Sequence, residues 1–295
     1  MSPVPLPLAL IEVTPVSGIA VGPLTLGFYG LGFVLAVAVL VLVSRSEARR
    51  KGEDPGLVTG AIVVVAICAL IGARLYHVVG EWHLYASDPL RAILPPYAGL
   101  GLYGGILGAV VGVAIFVRGR DISLSRALDI VVPGTLLAQG IARWGNFFNQ
   151  ELYGPPTDLP WGITIDRFHR VPQYPVERYP VETTGFHPLF FYESALTITG
   201  GLIALVIARR FAARLRDGDL VSFWMVWYGS VRLVLETFRE GWNWTLAGIP
   251  TAMLVGVVLI VIGVATAWWR HRGPAPASGP PIAAGSVPDA GSQPG

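Results

Sequence analysis

Three arginines stand where this chain is otherwise apolar: Arg74, Arg143 and Arg232. Glu193 and Glu236 fall in similar surroundings, and Glu151 follows Arg143 closely. A charged side chain at the centre of a bilayer costs about 2.5–3.5 kcal/mol on insertion scales. Several such charges require a reason. Arg232, Glu236 and Arg239 recur at i, i+4 and i+7, which places them on one helix face. A guanidinium is planar, and its paired N–H donors match a phosphate. Arginines on a cavity wall therefore suit a phosphate-bearing ligand, and at membrane depth the natural one is an anionic phospholipid. Snorkelling and internal ion pairs are the plainer reading, strongest for Arg74 and Glu236. Arg143 and Arg232 lie too deep to snorkel easily. Asp129 differs: it opens its apolar segment, where helix-dipole stabilisation accounts for it.

The elements that position these residues are written in the composition. Of 295 residues, 53% are hydrophobic and only 14% charged, against about a quarter charged in soluble domains. Apolar runs of about twenty residues recur. They predict an all-α integral membrane protein with seven transmembrane helices, at roughly 23–44, 57–79, 97–117, 126–146, 187–208, 219–238 and 247–269. Thirteen basic residues gather in the segments after spans one, three, five and seven, and five in the opposite set. Cationic loops stay in the cytoplasm. The N-terminus is therefore expected outside and the C-terminus inside.

Three regions follow. Residues 1–22 are an external arm, 23–272 the membrane domain, and 273–295 a Pro/Gly/Ala/Ser-rich cytoplasmic tail expected to be disordered. Within the membrane domain, 147–186 is too long for a turn and reads as a small external head. The first twenty residues hold four prolines and no Lys or Arg, unlike a cleaved signal peptide, so the first span is expected to act as an uncleaved signal. Gly101, Gly104, Gly105, Gly108 and Gly112 predict close helix packing in span three.

On that topology the polar residues share one depth. Tyr29 and Tyr103 are early in spans that start outside. Arg74, Arg143, Arg232 and Glu236 are late in spans that end outside, and Arg239 follows them. His187 and Glu193 open span five. All lie in the outer half of the membrane.

Several chemistries are absent. G-x-S-x-G, H-E-x-x-H and the P-loop do not occur. The only lysine, Lys51, lies in a loop, which excludes a retinal Schiff base within a span. The single cysteine, Cys68, permits no intramolecular disulfide and has apolar neighbours suited to packing. No cluster has metal-ligand spacing, and neither a metal, a cofactor nor a nucleic-acid partner is expected. Without a covalent nucleophile, a reaction here would pass directly between two bound substrates. A lipid or small-anion transporter is the alternative, but it predicts discontinuous helices and a repeat relation between halves. A non-catalytic membrane binding protein would not require paired deep arginines.

Residues 140–154, GIARWGNFFNQELYG, resemble the signature of the prolipoprotein diacylglyceryl transferase family, Gly-Arg-x-x-Asn-Phe-x-Asn-x-Glu-x-x-Gly. Arg143, Asn146, Phe147, Asn149, Glu151 and Gly154 match, and Ala142 replaces the first glycine. GFYGLGF around Tyr29, GARL at 72–75, HPLFFYES at 187–194 and YGSVRLVLETFRE at 228–240 are similar to further family segments, so the resemblance covers about 20–270.

The resemblance implies an enzyme of the bacterial cytoplasmic membrane that moves the diacylglyceryl group of phosphatidylglycerol to the lipobox cysteine of an exported prolipoprotein. It implies catalytic roles for Arg143, Glu151, Arg232, Tyr29 and Asn146, and phosphatidylglycerol contacts from Arg143, Arg232, Asn146, Gly154 and Tyr103. Arg74, His187, Glu193, Glu236 and Arg239 would support them. Many members carry a histidine, proposed as a base, where this chain has Tyr103. A phenol is a poor base near neutrality, which leaves Glu151, His187 or the substrate phosphate to take the thiol proton. Phe190 stands where the family has glutamine.

Overall fold

The computed structural model describes residues 11, 18–21, 24–92, 99–239, 245–246 and 248–273. Most of the expected N-terminal arm, and the expected tail from 274 on, lie outside the described residues.

The described residues are mostly helical. In chain order the helices are α1 (Phe28–Arg50), α2 (Gly56–Gly80), α3 (Trp82–Tyr85), α4 (Leu102–Val117), α5 (Leu124–Ala142), α6 (Trp144–Phe148), α7 (Leu189–Arg210), α8 (Asp219–Glu236) and α9 (Thr251–His271). Four of them, α1, α2, α7 and α9, are long and apolar enough to cross a membrane, and α4 is a shorter apolar helix. Apart from their first and last turns, helices satisfy their backbone N–H and C=O groups internally, which hydrocarbon demands. The chain is thus a multi-pass membrane protein.

Expected spans differ at their ends: the helix expected at 97–117 begins at Leu102, and the one expected at 247–269 begins at Thr251, after a strand at Ile249–Pro250. The stretch before Phe28 is not helical: β1 (Gly18–Val21) pairs antiparallel with β2 (Leu24–Gly27). A short apolar run fits a strand as well as a helix, and periodicity alone does not separate them. The span expected at 126–146 is two helices joined at Arg143, α5 and α6. Arg143 therefore stands at a helix end instead of inside one.

α5 is central. It packs against α1 on one side and against α7 and α8 on the other, and α9 covers α8. Val132, Leu136, Ala204, Ala208 and Leu220 form the apolar core between α5, α7 and α8. α2 and α4 are a peripheral pair that chiefly contact each other. A Cβ on Gly72, Gly104 or Gly108 would overlap the facing backbone. The glycine spacing thus does the work expected of it, bringing two backbones together. Cys68 belongs to that contact, its carbonyl facing Gly108.

At the Arg-rich end of the bundle, Asp129 is buried and accepts the N–H groups of Gly218 (2.8 Å) and Val221 (3.0 Å). The dipole it offsets is that of α8, not of its own helix. Lys51 Nζ lies 3.6 Å from it. Glu47, also buried, pairs with Arg50 at 2.7 Å and Arg209 at 3.0 Å.

The segment between α6 and α7 is compact. Tyr153, Ile163, Ile165, Tyr174 and Phe186 form its own apolar core, and Phe190 of α7 joins it. β3 (Pro156–Thr157) pairs antiparallel with β4 (Gly185–Phe186). Tyr153 Oη donates to His169 O and accepts Val171 N–H. Asp166 Oδ1 accepts the Phe168 and His169 amides and contacts His169 Nδ1 at 2.8 Å. Burial raises the Asp166 carboxyl, but the His169 ring and the amides outweigh it and hold the group below the usual carboxylate range.

Candidate active site

The end of the bundle opposite Asp129 collects the charges singled out in the sequence. α5 delivers Arg143, the first turns of α7 deliver Glu193, and the last turns of α8 deliver Arg232 and Glu236. Arg143 Nη2 lies 2.5 Å from Glu193 Oε1. Arg232 Nη1 lies 3.8 Å from Glu193 Oε2, and its Nη2 lies 2.7 Å from Glu236 Oε2. Arg239, just past α8, reaches Glu236 at 3.8 Å. Three guanidiniums thus surround two carboxylates, with Arg232, Glu193 and Glu236 all buried. Removing one partner from such a cluster strands a buried charge, at a cost of about 3–5 kcal/mol.

Asn146 extends the network. It is buried, its Oδ1 lies 3.4 Å from Arg143 Nη1, and its Nδ2 donates to Glu151 Oε1 at 2.7 Å. Asn149 Nδ2 donates to the same oxygen at 3.3 Å. Glu151 therefore couples to Arg143 through an amide. The residues on either side of it, Gln150 and Leu152, have φ of 47° and 57°. Left-handed backbone at non-glycine residues is sparsely populated and clusters at functional sites. Gln150 is held there, its Oε1 accepting Asp166 N–H at 2.7 Å.

Two glycines set close approaches. A Cβ on Gly145 would stand 2.5 Å from the Tyr29 ring, so α1 lies directly against α6. A Cβ on Gly154 would press on His187 and Leu189 at 3.1 Å. Tyr29 itself is half exposed. Tyr103 opens α4 and stands within electrostatic reach of Arg232 and Glu236.

Two expected supporting residues act at a distance from this cluster. Arg74 donates to the carbonyls of Arg91 (2.9 Å), Ala92 (2.9 Å) and Gly99 (3.2 Å), and stacks over Tyr85. It holds the chain after α2 against that helix. His187 Nδ1 meets Tyr192 Oη at 3.1 Å, and the same hydroxyl accepts Trp161 Nε1–H at 2.8 Å. His187 ties the segment before α7 to α7.

One residue escaped the sequence reading. Tyr228 is fully buried, one turn before Arg232 on the same face of α8. Its hydroxyl has no hydrogen-bond partner among the described residues, nor has Arg232 Nε. Arg232, Glu193 and Arg143 are its charged neighbours. The i, i+4 spacing to Arg232 carried that signal.

Fold and site define a polytopic membrane protein with a buried arginine–carboxylate cluster at one end of its helix bundle. The family model described as Prolipoprotein diacylglyceryl transferase matches residues 17–269. The chain is 36% identical over 267 residues to the phosphatidylglycerol–prolipoprotein diacylglyceryl transferase of Chloroflexus aggregans, covering 85% of this chain and 87% of that one. The protein of the same name from Synechococcus elongatus is 34% identical over 259 residues, covering 86% of each. That of Symbiobacterium thermophilum is 34% identical over 264 residues, covering 89% of this chain and 95% of the relative. The chain belongs to the prolipoprotein diacylglyceryl transferase family.

Proposed function

We propose that this chain transfers the diacylglyceryl group of phosphatidylglycerol to the lipobox cysteine thiol of exported prolipoproteins, forming a thioether and releasing glycerol 1-phosphate. The names of its relatives support that reaction. The observation that carries it to this site is the joint hold of Arg143 and Arg232 on one carboxylate, Glu193. Two guanidiniums spaced to share an anion suit a phosphate.

The attacked atom is a saturated glyceryl carbon, so no acyl oxyanion has to be held. Negative charge grows instead on the departing phosphate, where Arg143 and Arg232 stabilise it. Asn146 relays between Arg143 and Glu151, Tyr29 and Gly154 shape the site walls, and Tyr103 borders the headgroup. Arg239 neutralises Glu236, while Arg74 and His187 hold adjoining segments.

The seven longer helices are read as seven spans. The basic residues between them support an orientation with the N-terminus outside and the C-terminus in the cytoplasm of a bacterial plasma membrane. The cluster then lies in the outer half of the bilayer, where an exported precursor presents its cysteine, with 147–186 as an external head.

The test uses purified protein in proteoliposomes of phosphatidylglycerol with a lipobox peptide. The expected result is a peptide mass gain of one diacylglyceryl unit, lost with Cys→Ser in the peptide and with Arg143→Ala in the protein. No gain, beside an active relative run in parallel, overturns the assignment.

A further inference from the structure

Glu193 occupies the position of an anion shared by two arginines. Its Oε1 faces Arg143 at 2.5 Å and its Oε2 faces Arg232 at 3.8 Å, so one carboxylate spans guanidiniums from two regions of the fold. The other nearby carboxylates do not. Glu236 pairs with Arg232 and Arg239, its near neighbours along the chain, at 2.7 and 3.8 Å. Glu151 is held by the side-chain amides of Asn146 and Asn149. The cavity beside Glu193, Arg232, Glu236 and Arg239 measures about 20 Å³, room for roughly one water. A phosphate that takes the guanidinium edges of Arg143 and Arg232 now turned toward Glu193 displaces that carboxylate from them.

We propose that Glu193 changes partners during turnover: it is the counter-ion of Arg143 and Arg232 in the empty site, and the acceptor of the substrate thiol proton once phosphate has taken both arginines. This rests on the transferase reading above. Once phosphate holds both guanidiniums, the Glu193 oxygens lose the donors that occupied them and are free to accept the hydrogen of the thiol. Glu236 keeps its contact with Arg239. Phenols hold their proton near neutrality, so Tyr103 and Tyr228 do not supply the acceptor.

The step balances. The S–H bond breaks and its proton passes to a Glu193 oxygen. The sulfur electron pair forms the C–S bond at the glyceryl CH₂ that bears the phosphate oxygen. The C–O bond breaks, its pair remaining on the phosphate as a second negative charge held by Arg143 and Arg232. The proton then leaves Glu193 for the departing glycerol phosphate, and the carboxylate returns to the two arginines. Binding of the lipid thus creates the base, which a carboxylate already bound to two arginines is not.

The experiment compares wild type, Glu193→Gln and Glu193→Asp in phosphatidylglycerol proteoliposomes. Two lipobox peptides are used, one with cysteine and one with selenocysteine, whose selenol is already ionised at neutral pH. Binding of short-chain phosphatidylglycerol is measured alongside. Glu193→Gln is expected to slow the cysteine reaction by about 10²–10⁴-fold, to bind the lipid at least as tightly as wild type, and to process the selenocysteine peptide within about tenfold of the wild-type rate. A wild-type rate on the cysteine peptide overturns the proposal, and so does equal loss on both peptides with lipid binding intact. Should Glu193→Gln fail to bind lipid, Glu193→Asp decides: a selenocysteine preference above that of wild type supports the proposal, and an unchanged preference overturns it. A wild-type protein inactive on both peptides strikes the transferase reading instead.

Discussion

Asp129 accepts the backbone N–H of Gly218 at 2.8 Å, across 89 residues of chain, and so caps a helix to which it does not belong. Gly218 has φ of 101° and begins the turn into α8, and Asp129 also takes the Val221 amide. The pairing fixes the start of α8, whose far end carries Arg232 and Glu236. Asp129→Ala leaves two amides without their acceptor and Lys51 without its counter-charge. The expected cost is about 1–3 kcal/mol per stranded buried group, read as a lower midpoint of thermal unfolding in nanodiscs. Asp129→Asn, which keeps one acceptor oxygen, is expected to fall between.

Lysine is not expected to replace arginine at 143. Arg143 contacts Glu193 and Asn146 through different Nη atoms, and a single ammonium cannot present two donors in that plane. Arg143→Lys should lower the thioether-forming rate by about 10²–10³-fold, the usual loss when one preorganised donor is removed. A rate within a few fold of wild type would show that charge alone suffices there.

Gly145 and Tyr29 should behave as one unit. A methyl at 145 collides with the Tyr29 ring, so Gly145→Ala is expected to reduce activity by displacing that ring. In the double variant Gly145→Ala/Tyr29→Ala, the rate should match Tyr29→Ala alone, because residues in contact are not additive. Full additivity in a double-mutant cycle would argue that each acts independently.

The turn at Asp166 should open in acid. Its carboxyl is held below the usual range, so the stability it contributes is present above the ordinary aspartate value near 3.9 and is lost as pH falls through the lower folded value. Hydrogen exchange at the Phe168 and His169 amides, with intrinsic rates corrected for pH, should show protection at neutrality that disappears below about pH 4. Asp166→Asn should show weakened protection already at neutrality.

Sequence patterning captured what is local. Apolar runs located the long helices, and the i, i+4, i+7 spacing placed Arg232 and Glu236 on one face, with Arg239 reaching the same carboxylate from beyond the helix end. The string from Arg143 to Gly154 pointed to Arg143 and Glu151 together. It could not show that Asn146 stands between them, since that depends on the reversal of the chain at Gln150 and Leu152. Partnerships between helices were equally hidden. Asp129 looked like an aid to its own helix because the amides it satisfies lie 89 and 92 residues away. Glu193 looked like a supporting charge because its span across two arginines exists only once α5, α7 and α8 have packed. Arg74 shared their inferred depth, yet its donors went to carbonyls of the chain after α2.

Leu152 keeps its backbone at φ 57° while its side chain lines the small cavity with Arg232 and Glu193. A residue in that conformation carries about 1–3 kcal/mol of strain that glycine would relieve. Position 152 is thus a place where heat resistance and turnover pull apart. Selection for survival at high temperature should favour glycine there, and selection for lipid transfer should restore leucine, whose bulk narrows the cavity beside the buried charges to room for about one water.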